Sequence, residues 1–540
     1  MRFYQIPLVI FLIASNFLFS AALPHLKNQG SAVQLIVDDR PFLILGGELG
    51  NSTASSLNYM KSIWPKLVQL NLNTALIPVY WDLIEPREGT FDFMLIDGLL
   101  EQARQNNLRL ILLWFGSWKN SMSCYAPGWV KTNPDRFPRA RLKNGQPMEI
   151  MSAFSKENCD ADARAFASLM RYLRQSDSHK HTVIMVQVEN EVGMLSDARD
   201  WSPAANQAFS GPVPTELIDY LTEKKETLIP EFHARWAKKG FKTVGTWEEV
   251  FGKGLPTDEI FMAWHYGRYV QAVAAAGKAE YPLPMFVNAA LIRPGYKPGQ
   301  YPSAGPLPHL MDIWRAAAPA IDFLSPDIYF PNFAYWCRQY HQSANPLFIP
   351  EAQKGPDSAA QALYAIGQHN SMGYSPFSIE NIENPANAPL ANCYGLLRQL
   401  SHLILRSQGT FMSAGVLLDK QNPIQEIKLG RYNLTVSHDY TWGWSGGDPK
   451  APSWPKAGGI LLIQGPDEYL IAGTGLIITF ASQCPGQTAS IQWIQEGNYD
   501  EEESWVPGRW LSGDESHQGR HLRIPMGQFA IQRIRLYQYK

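Results

Sequence analysis

The chain has 540 residues, 45% of them hydrophobic and 18% charged, and its formal net charge is −2. This composition is typical of a folded globular protein with a large core, and the length suits two or three domains. A nearly neutral charge gives no electrostatic footprint for nucleic acid or for an anionic membrane surface. The 17 Trp, 23 Tyr and 25 Phe supply the flat rings that a carbohydrate site needs, although most such rings pack in cores.

The N-terminus has the pattern of an export signal. Arg2 is a short basic start, residues 6–19 are an apolar run, and residues 20–22 form a small-residue cleavage site. We therefore predict a signal peptide over residues 1–22 and a secreted or periplasmic protein. No later stretch is long and apolar enough to span a membrane.

The five cysteines are few and widely spaced, and they form no CxxC pair. They are Cys124, Cys159, Cys337, Cys393 and Cys484. Since no His-rich cluster accompanies them, we expect no zinc site. An oxidising compartment permits one or two disulfides, and the odd count leaves one thiol over.

Eight short apolar, β-rich segments follow one another along the chain, with helical patterns between them. They are residues 42–48, 73–81, 109–118, 183–191, 285–290, 323–329, 346–353 and 373–381. Continuous apolar runs are typical of strands that are covered on both faces. The alternation predicts an α/β fold, and eight such units predict a (β/α)₈ TIM barrel.

The regions outside this repeat define the rest of the organisation. Residues 193–284 form a long insertion with two helical tracts, 215–239 and 258–280, which we expect on the catalytic face. After about residue 405 the chain has β-type runs broken by turns, which predict an all-β, sandwich-like domain. We assign residues 23–400 to the barrel and 401–540 to this C-terminal domain, which either buttresses the barrel or binds carbohydrate.

In this fold the chemistry lies where strands end, and the fourth and seventh segments end in carboxylates. Glu191 ends the fourth segment and Glu351 lies in the seventh. A carboxylate there is costly to desolvate unless it is ion-paired or catalytic. Because these two strands lie on opposite sides of the barrel mouth, Glu191 and Glu351 can converge. Glycoside hydrolysis requires two such carboxyl groups.

The neighbouring residues suggest individual roles. We expect Glu191 to be the acid/base and Glu351 the nucleophile, while Asn190 binds the sugar hydroxyl next to the scissile bond. Glu189 has the opposite side-chain direction along the strand and is expected to be structural. Tyr329 either donates a hydrogen bond to Glu351 or packs at the barrel rim.

Three tryptophans at the ends of the second and third segments are candidate sugar platforms. They are Trp81, Trp114 and Trp118. Core packing is the alternative for at least one of these rings.

The motifs around these residues resemble glycoside hydrolase family 35, the β-galactosidases. Residues 187–191 read Gln-Val-Glu-Asn-Glu and fit the family signature Q-x-E-N-E. Residues 46–48, Gly-Gly-Glu, resemble its opening Gly-Gly motif, and residues 81–86 resemble its strand-two segment. The resemblance covers roughly residues 35–390. The chain is similar to the shorter type of enzyme in this family, which has one β-rich tail.

The resemblance implies a retaining exo-β-galactosidase with Glu191 as acid/base and Glu351 as nucleophile, and no metal or organic cofactor. Its substrate would be terminal galactose on oligosaccharides or on plant polysaccharide side chains such as galactosylated xyloglucan. The segment after the third strand lacks the glutamate that holds galactose hydroxyls in the family. Lys119, Asn120 and Glu48 are the candidate substitutes.

Two other functions stay open at this point. Another retaining β-glycosidase of the same barrel superfamily, such as a mannosidase, glucosidase or endo-glycanase, would have the same two glutamates. A non-catalytic sugar-binding protein is disfavoured because both glutamates are present. In each case the expected partner is a carbohydrate, with no nucleic acid and no membrane, and the sequence leaves the oligomeric state open.

Overall fold

The computed structural model describes residues 22–443 and 446–540. Apart from Ala22, the predicted signal peptide lies outside these residues. All five cysteines lie within them and are free thiols. In the described part of the chain, no helix combines the length and the apolarity needed to cross a membrane.

Eight parallel strands close into a barrel, which confirms the predicted fold class. In chain order they are β1 (Ile44–Glu48), β2 (Thr74–Tyr80), β3 (Arg109–Lys119), β4 (Val183–Asn190), β5 (Met285–Ala290), β6 (Phe323–Ile328), β7 (Ile349–Ala352) and β8 (Gly373–Pro376). Each strand coincides with one predicted segment. The barrel closes where Gly373 of β8 pairs with Ile44 of β1.

The barrel interior is a packed core of its own. One cluster of buried side chains comes from successive strands and includes Leu76, Ile111 and Phe115. Phe286 stacks on Phe323, and its ring centroid lies 5.4 Å from that of Phe348. Alternate side chains of the same strands point outwards and join the helices in the main hydrophobic core.

Helices surround the barrel and form most of the insertion. They are Leu57–Met60, Trp64–Gln69, Trp81–Ile84, Met94–Gln105, Gly128–Lys131, Lys156–Asp177, Pro203–Ser210, Thr215–Glu223, Pro230–Ala237, Trp247–Phe251, Leu255–Glu280, Met311–Ala317, Phe333–Tyr340, Ser358–His369 and Pro389–Ser407. Helix Lys156–Asp177 begins after Ser155, whose hydroxyl oxygen accepts a hydrogen bond from the backbone N–H of Asn158. It packs against helix Leu255–Glu280, where Gly277 leaves room for the Phe166 ring.

The insertion after β4 is connected to the loop after β5. Met194 and Ser303 exchange two backbone hydrogen bonds, at 2.7 and 2.8 Å. The Glu259 carboxylate accepts from Tyr301 Oη at 2.7 Å and lies 2.9 Å from His309 Nε2. The predicted tract 215–239 is wrong as one helix, because Pro230 cannot donate an N–H and starts a second helix.

Two further β-structures flank the barrel. A three-stranded sheet, which the sequence analysis did not predict, precedes β1 and has the strands His25–Gln29, Ala32–Val37 and Arg40–Phe42. Its Leu35 and Val37 join the interior cluster of the barrel. This sheet therefore extends the barrel core.

The C-terminal region is all-β, with one six-stranded and one four-stranded sheet. Its strands are Ser413–Leu418, Ile424–Leu429, Tyr432–His438, Ala457–Ile463, Glu468–Thr474, Leu476–Ser482, Thr488–Tyr499, Trp505–Trp510, Leu522–Ile524 and Ala530–Tyr539. A separate core lies between the sheets. The six-stranded sheet also packs on helix Ser358–His369, where Gly458 lies against Ala360. Helix Pro389–Ser407 spans the assigned boundary at residue 400.

We expect Phe286→Ala to destabilise the protein by about 3–5 kcal/mol, because it removes a ring from a closed core and leaves a cavity. The matched control is Phe411→Ala, since the Phe411 side chain is 89% exposed, and its effect should stay within about 0.5 kcal/mol. Urea unfolding of both variants measures the difference. Equal destabilisation by the two substitutions would contradict the packing of the barrel interior.

Candidate active site

The end of β4 presents Asn190 and Glu191 through an irregular backbone. Regular alternation would send two adjacent side chains to opposite faces of the sheet. Glu189 and Glu191 instead have φ values of 61° and 45°, in the left-handed region that costs non-glycine residues about 1–3 kcal/mol. Two such turns within three residues break the alternation where the predicted acid/base lies.

Glu191 is tied to the strands on both sides. Its backbone N–H donates to Asn288 Oδ1 of β5 at 3.0 Å, and Asn288 Nδ2 donates to Asp327 Oδ2 of β6 at 2.6 Å. On the other side, Asn120 Nδ2, just after β3, donates to Glu191 Oε2. The Glu191 residue is only 5% exposed. These contacts fix both the backbone and the carboxyl group of Glu191.

Glu351 lies on β7, and in the parallel register of the sheet it lies beside Asp327 of β6. The Tyr329 hydroxyl donates to Glu351 Oε1. Glu351 is also hydrogen-bonded to the carboxyl group of Glu48. One oxygen each of Glu191, Asp327 and Glu351 lie within 4.8 Å of one another. The carboxylates from strands four and seven therefore converge.

Glu48, at the end of β1, adds a fourth carboxyl group to this cluster. Burial raises the pKa of Glu48 well above its ordinary value, and the charges of Glu351 and Glu191 raise it further. Burial and the same two charges also raise the pKa of Asp327. Both groups are therefore neutral acids at neutral pH, which can donate hydrogen bonds.

Lys119, at the end of β3, places an ammonium group among these carboxyls. The residue is 6% exposed, and its Nζ lies 5.3 Å from the centre of the Phe115 ring. Although burial opposes it, the charges of Glu351 and Glu191 raise the pKa of Lys119, so it stays protonated. Three oxygens at this spacing could also hold a divalent cation, but Lys119 already provides positive charge.

The pKa of Glu351 is also raised from its ordinary value. Burial and the charge of Glu191 raise its pKa to about 7, while Lys119 and the Tyr329 hydroxyl oppose that rise. A substantial fraction of Glu351 is therefore a carboxylate at neutral pH. Glu351 and the neutral form of Glu48 thus offer a carboxylate and a proton-carrying carboxyl side by side.

The buried amide of Asn190 has no hydrogen-bond partner among the described residues. The carboxyl groups are hydrogen-bonded in pairs, Glu48 with Glu351 and Asp327 with Glu191. Buried polar groups in native proteins are normally satisfied, and leaving one unpaired costs about 1–3 kcal/mol. A ligand hydroxyl group can satisfy the Asn190 amide.

Glu189 holds the irregular end of β3 in place. It accepts from the backbone N–H of Trp118 at 2.7 Å and of Ser117 at 3.3 Å, and Ser117 N–H also donates to Asp162 at 3.0 Å. Burial and the charge of Asp162 raise the pKa of Glu189 well above its ordinary value. Glu189 and Asp162 therefore hold the backbone of β3 together and support the register shift that precedes Lys119.

The prediction that Trp81, Trp114 and Trp118 form a sugar platform is wrong. All three rings are fully buried in the core between barrel and helices. Their indole N–H groups are bound to Glu85, Asp162 and the Met151 carbonyl, at 2.9, 2.9 and 3.2 Å. Phe115 points into the barrel, so the alternation of β3 sends Trp114 outwards.

The structure brings the other predicted residues together. Glu48, Glu191 and Tyr329 lie around Glu351 at the barrel mouth. Asn190 is fully buried beside Glu191 at the end of β4. Asn120 lies there too, but its amide is bound to Glu191.

Sequence reasoning gave no role to Asn288, counted Asp327 only as a potential sugar-binding or catalytic residue at the end of the sixth segment, and treated Lys119 only as a substitute. Asn288 is the lone polar side chain of the β5 run Met-Phe-Val-Asn-Ala-Ala, and Asp327 stands near the end of the β6 run. A polar residue inside a strand that is buried on both faces is a signal that could have identified both.

Comparisons with known proteins concern two parts of the chain. Residues 56–258, which include Glu191 but not Glu351, match a model of glycoside hydrolase family 42 described as β-galactosidase. Residues 390–523 match a domain of unknown function, DUF5597. A β-galactosidase from Xanthomonas manihotis is 26% identical over 181 residues, which cover 32% of this chain and 27% of that protein.

Solved structures similar to the chain include two β-galactosidases. One, from Rahnella sp. R3, has a TM-score of 0.45 and 14% identity, and the match covers 67% of this chain and 57% of that one. The other, from Bacillus circulans sp. alkalophilus, has a TM-score of 0.46 with the same identity and coverage. The chain thus spans about a quarter of the curated relative and 57% of the solved chains.

We expect Glu351→Gln to stabilise the protein in a pH-dependent way. The folded-state pKa of Glu351, about 7, exceeds its ordinary value of 4.5, so the folded protein binds a proton that the unfolded chain releases. The free energy of unfolding of the wild type therefore falls as pH rises between these values, and the full cost remains above pH 7. Glutamine removes this cost.

The measurement is the difference in Tm between variant and wild type from about pH 4 to about pH 8. It should be small at the acidic end and become increasingly positive towards pH 8. The matched control is Glu383→Gln, since Glu383 is exposed. A Tm difference that does not change with pH would contradict the raised pKa of Glu351.

Proposed function

We propose that the chain is a retaining exo-β-galactosidase. The observation that carries this proposal is the separation of the two carboxyl groups, whose oxygens come within 4.8 Å. Retaining glycosidases place their carboxyls about 5 Å apart, whereas inverting enzymes leave about 6.5–9.5 Å for a water molecule. The spacing supports direct attack by one carboxylate on the sugar.

In the first step Glu351 is the nucleophile. Because Oε1 accepts from Tyr329, Oε2 is the oxygen that attacks the anomeric carbon. The bond from that carbon to the leaving oxygen breaks, its electron pair stays on the oxygen, and Glu191 donates a proton there. The product is a glycosyl ester on Glu351 and a free aglycone.

In the second step Glu191 is the base. It takes a proton from water, the water oxygen attacks the anomeric carbon, and the ester bond to Glu351 breaks. Lys119 and Tyr329 stabilise the Glu351 carboxylate that leaves. The buried amide of Asn190 is free to bind the hydroxyl at C2, a contact that strengthens in the transition state.

Galactose as the sugar is supported by the match of residues 56–258 to β-galactosidases. That match is to family 42, whereas the Q-x-E-N-E motif of residues 187–191 resembles family 35. We propose the family 35 type because the signature ends at Glu191, which the structure ties to the cluster of Asp327 and Glu351. Other retaining β-glycosidases share the two glutamates, so the sugar is decided by experiment.

The natural substrate proposed is a terminal galactose on oligosaccharides or on plant polysaccharide side chains, including galactosylated xyloglucan. The rim formed by the insertion and the loop after β5, joined through Met194 and Ser303, supports a bounded pocket that takes a chain end. Secretion to the periplasm or outside, which the N-terminal pattern predicts, would give access to such polymers.

The test is hydrolysis of nitrophenyl β-glycosides, with galactoside compared against glucoside, mannoside and xyloside. The wild type should prefer the galactoside, and Glu351→Ala should lose about 10³-fold or more in kcat. Azide should restore turnover of the variant, since it replaces the missing nucleophile and gives the glycosyl azide. Galactosylated xyloglucan oligosaccharides are the polymeric probe.

The control for this test is Glu383→Ala, an exposed glutamate after β8, which should leave kcat unchanged. Full activity of Glu351→Ala would exclude Glu351 as the nucleophile. A preference for another glycoside would retain the mechanism and exclude galactose. A folded wild type that cleaves neither the glycosides nor the oligosaccharides would exclude the proposed function.

We expect Lys119→Met to move the acid limb of the kcat/KM profile to higher pH, by about one unit. The nucleophile must be ionised, and loss of the ammonium raises the pKa of Glu351, so the variant loses activity earlier as pH falls. Lys119→Arg retains the charge and should shift the limb much less. Identical acid limbs in wild type and Lys119→Met would contradict this electrostatic role.

A further inference from the structure

The chain continues from the end of β3 through Ser121 along the end of β4, with Lys119 paired to Asn190. Asn120 N–H donates to the Asn190 carbonyl at 3.2 Å, and Ser121 N–H donates to the Glu191 carbonyl at 3.2 Å. Asn120 and Ser121 have φ values of 48° and 69°. Two consecutive left-handed residues close a tight turn, in which Lys119 and Met122 exchange backbone hydrogen bonds.

This turn places the Asn120 side chain at the Glu191 carboxyl, where Nδ2 donates to Oε2. The two oxygens of a carboxylic acid then become unequal. When the group is protonated, the oxygen that accepts from the amide N–H is the carbonyl oxygen, so the proton lies on Oε1. Asn120 therefore differs from Asn190, whose buried amide atoms have no partner among the described residues.

We propose that Asn120 is a positioning residue that orients the Glu191 carboxyl so that Oε1 carries the catalytic proton. This assignment rests on the proposed function. It replaces the sequence-based expectation that Asn120 binds the sugar, because the amide is already bound to Glu191.

The chemistry gives this contact a specific energetic role. When the leaving oxygen takes the proton from Oε1, the O–H bond breaks and Glu191 becomes a carboxylate. The bond from Asn120 then changes from a neutral to a charge-assisted hydrogen bond, which is stronger. The contact thus favours proton donation, and it matters only for leaving groups that need a proton.

The experiment compares substrates of the same sugar with different leaving groups. Asn120→Gly removes the side chain and tolerates the positive φ, while Asn120→Asp keeps the shape but replaces the amide donor by a carboxyl group. For lactose, whose leaving alcohol needs a proton, we expect kcat/KM to fall about 10- to 100-fold in both variants. For 2,4-dinitrophenyl β-galactoside, which leaves without one, the loss should stay below about 3-fold.

The matched control is Asn190→Ala, which removes a proposed sugar contact. It should lower kcat/KM by similar factors for the two substrates. Equal losses on both substrates in the Asn120 variants would overturn the proposal and indicate a sugar-binding or structural role. Thermal unfolding establishes that each variant is folded, and Asn120→Asp decides the question if Asn120→Gly does not fold. A wild type inactive on both galactosides would instead overturn the proposed function.

Discussion

The burial of four carboxyl groups around one ammonium is the constraint on which the rest of the site depends. Like charges this close cannot all be ionised in a poorly solvated site. Glu48 and Asp327 are driven to the neutral form, Lys119 stays charged, and Glu351 is left with a pKa of about 7. Burial therefore reduces the number of negative charges in the site and leaves its groups with different pKa values.

Strained backbone at the end of β4 and hydrogen bonds outside the carboxyl cluster hold this arrangement in place. The backbone leaves its regular path at Glu189 and Glu191, where positive φ values store strain. Asp162 and Glu189 accept hydrogen bonds from the backbone N–H groups of Ser117 and Trp118. The signature residue Glu189 is thus needed for the shape of β3, although it is not placed among the reacting groups.

The fold could be predicted from sequence because its signal is repeated and local. All eight barrel strands follow from apolar runs alternating with helical patterns, and Glu191 and Glu351 follow from their places at the ends of strands four and seven. The orientation of single side chains could not be predicted in the same way. The register shift between Trp114 and Lys119 decides which residues face the mouth, and it depends on contacts with β4 and with Asp162, which no local pattern shows.

In the proposed mechanism, each of the two central glutamates has one oxygen bound by a neutral donor, and the other oxygen takes part in the reaction. Tyr329 occupies Glu351 Oε1, and Asn120 occupies Glu191 Oε2. A carboxyl with two equivalent oxygens could rotate or carry its proton on either side, and every such alternative would lower the population of reactive geometry. Both donors come from the turns after β3 and β6. Under the proposed mechanism, these loops at the barrel mouth therefore select the reacting atoms, while the strands bring the two carboxyl groups together.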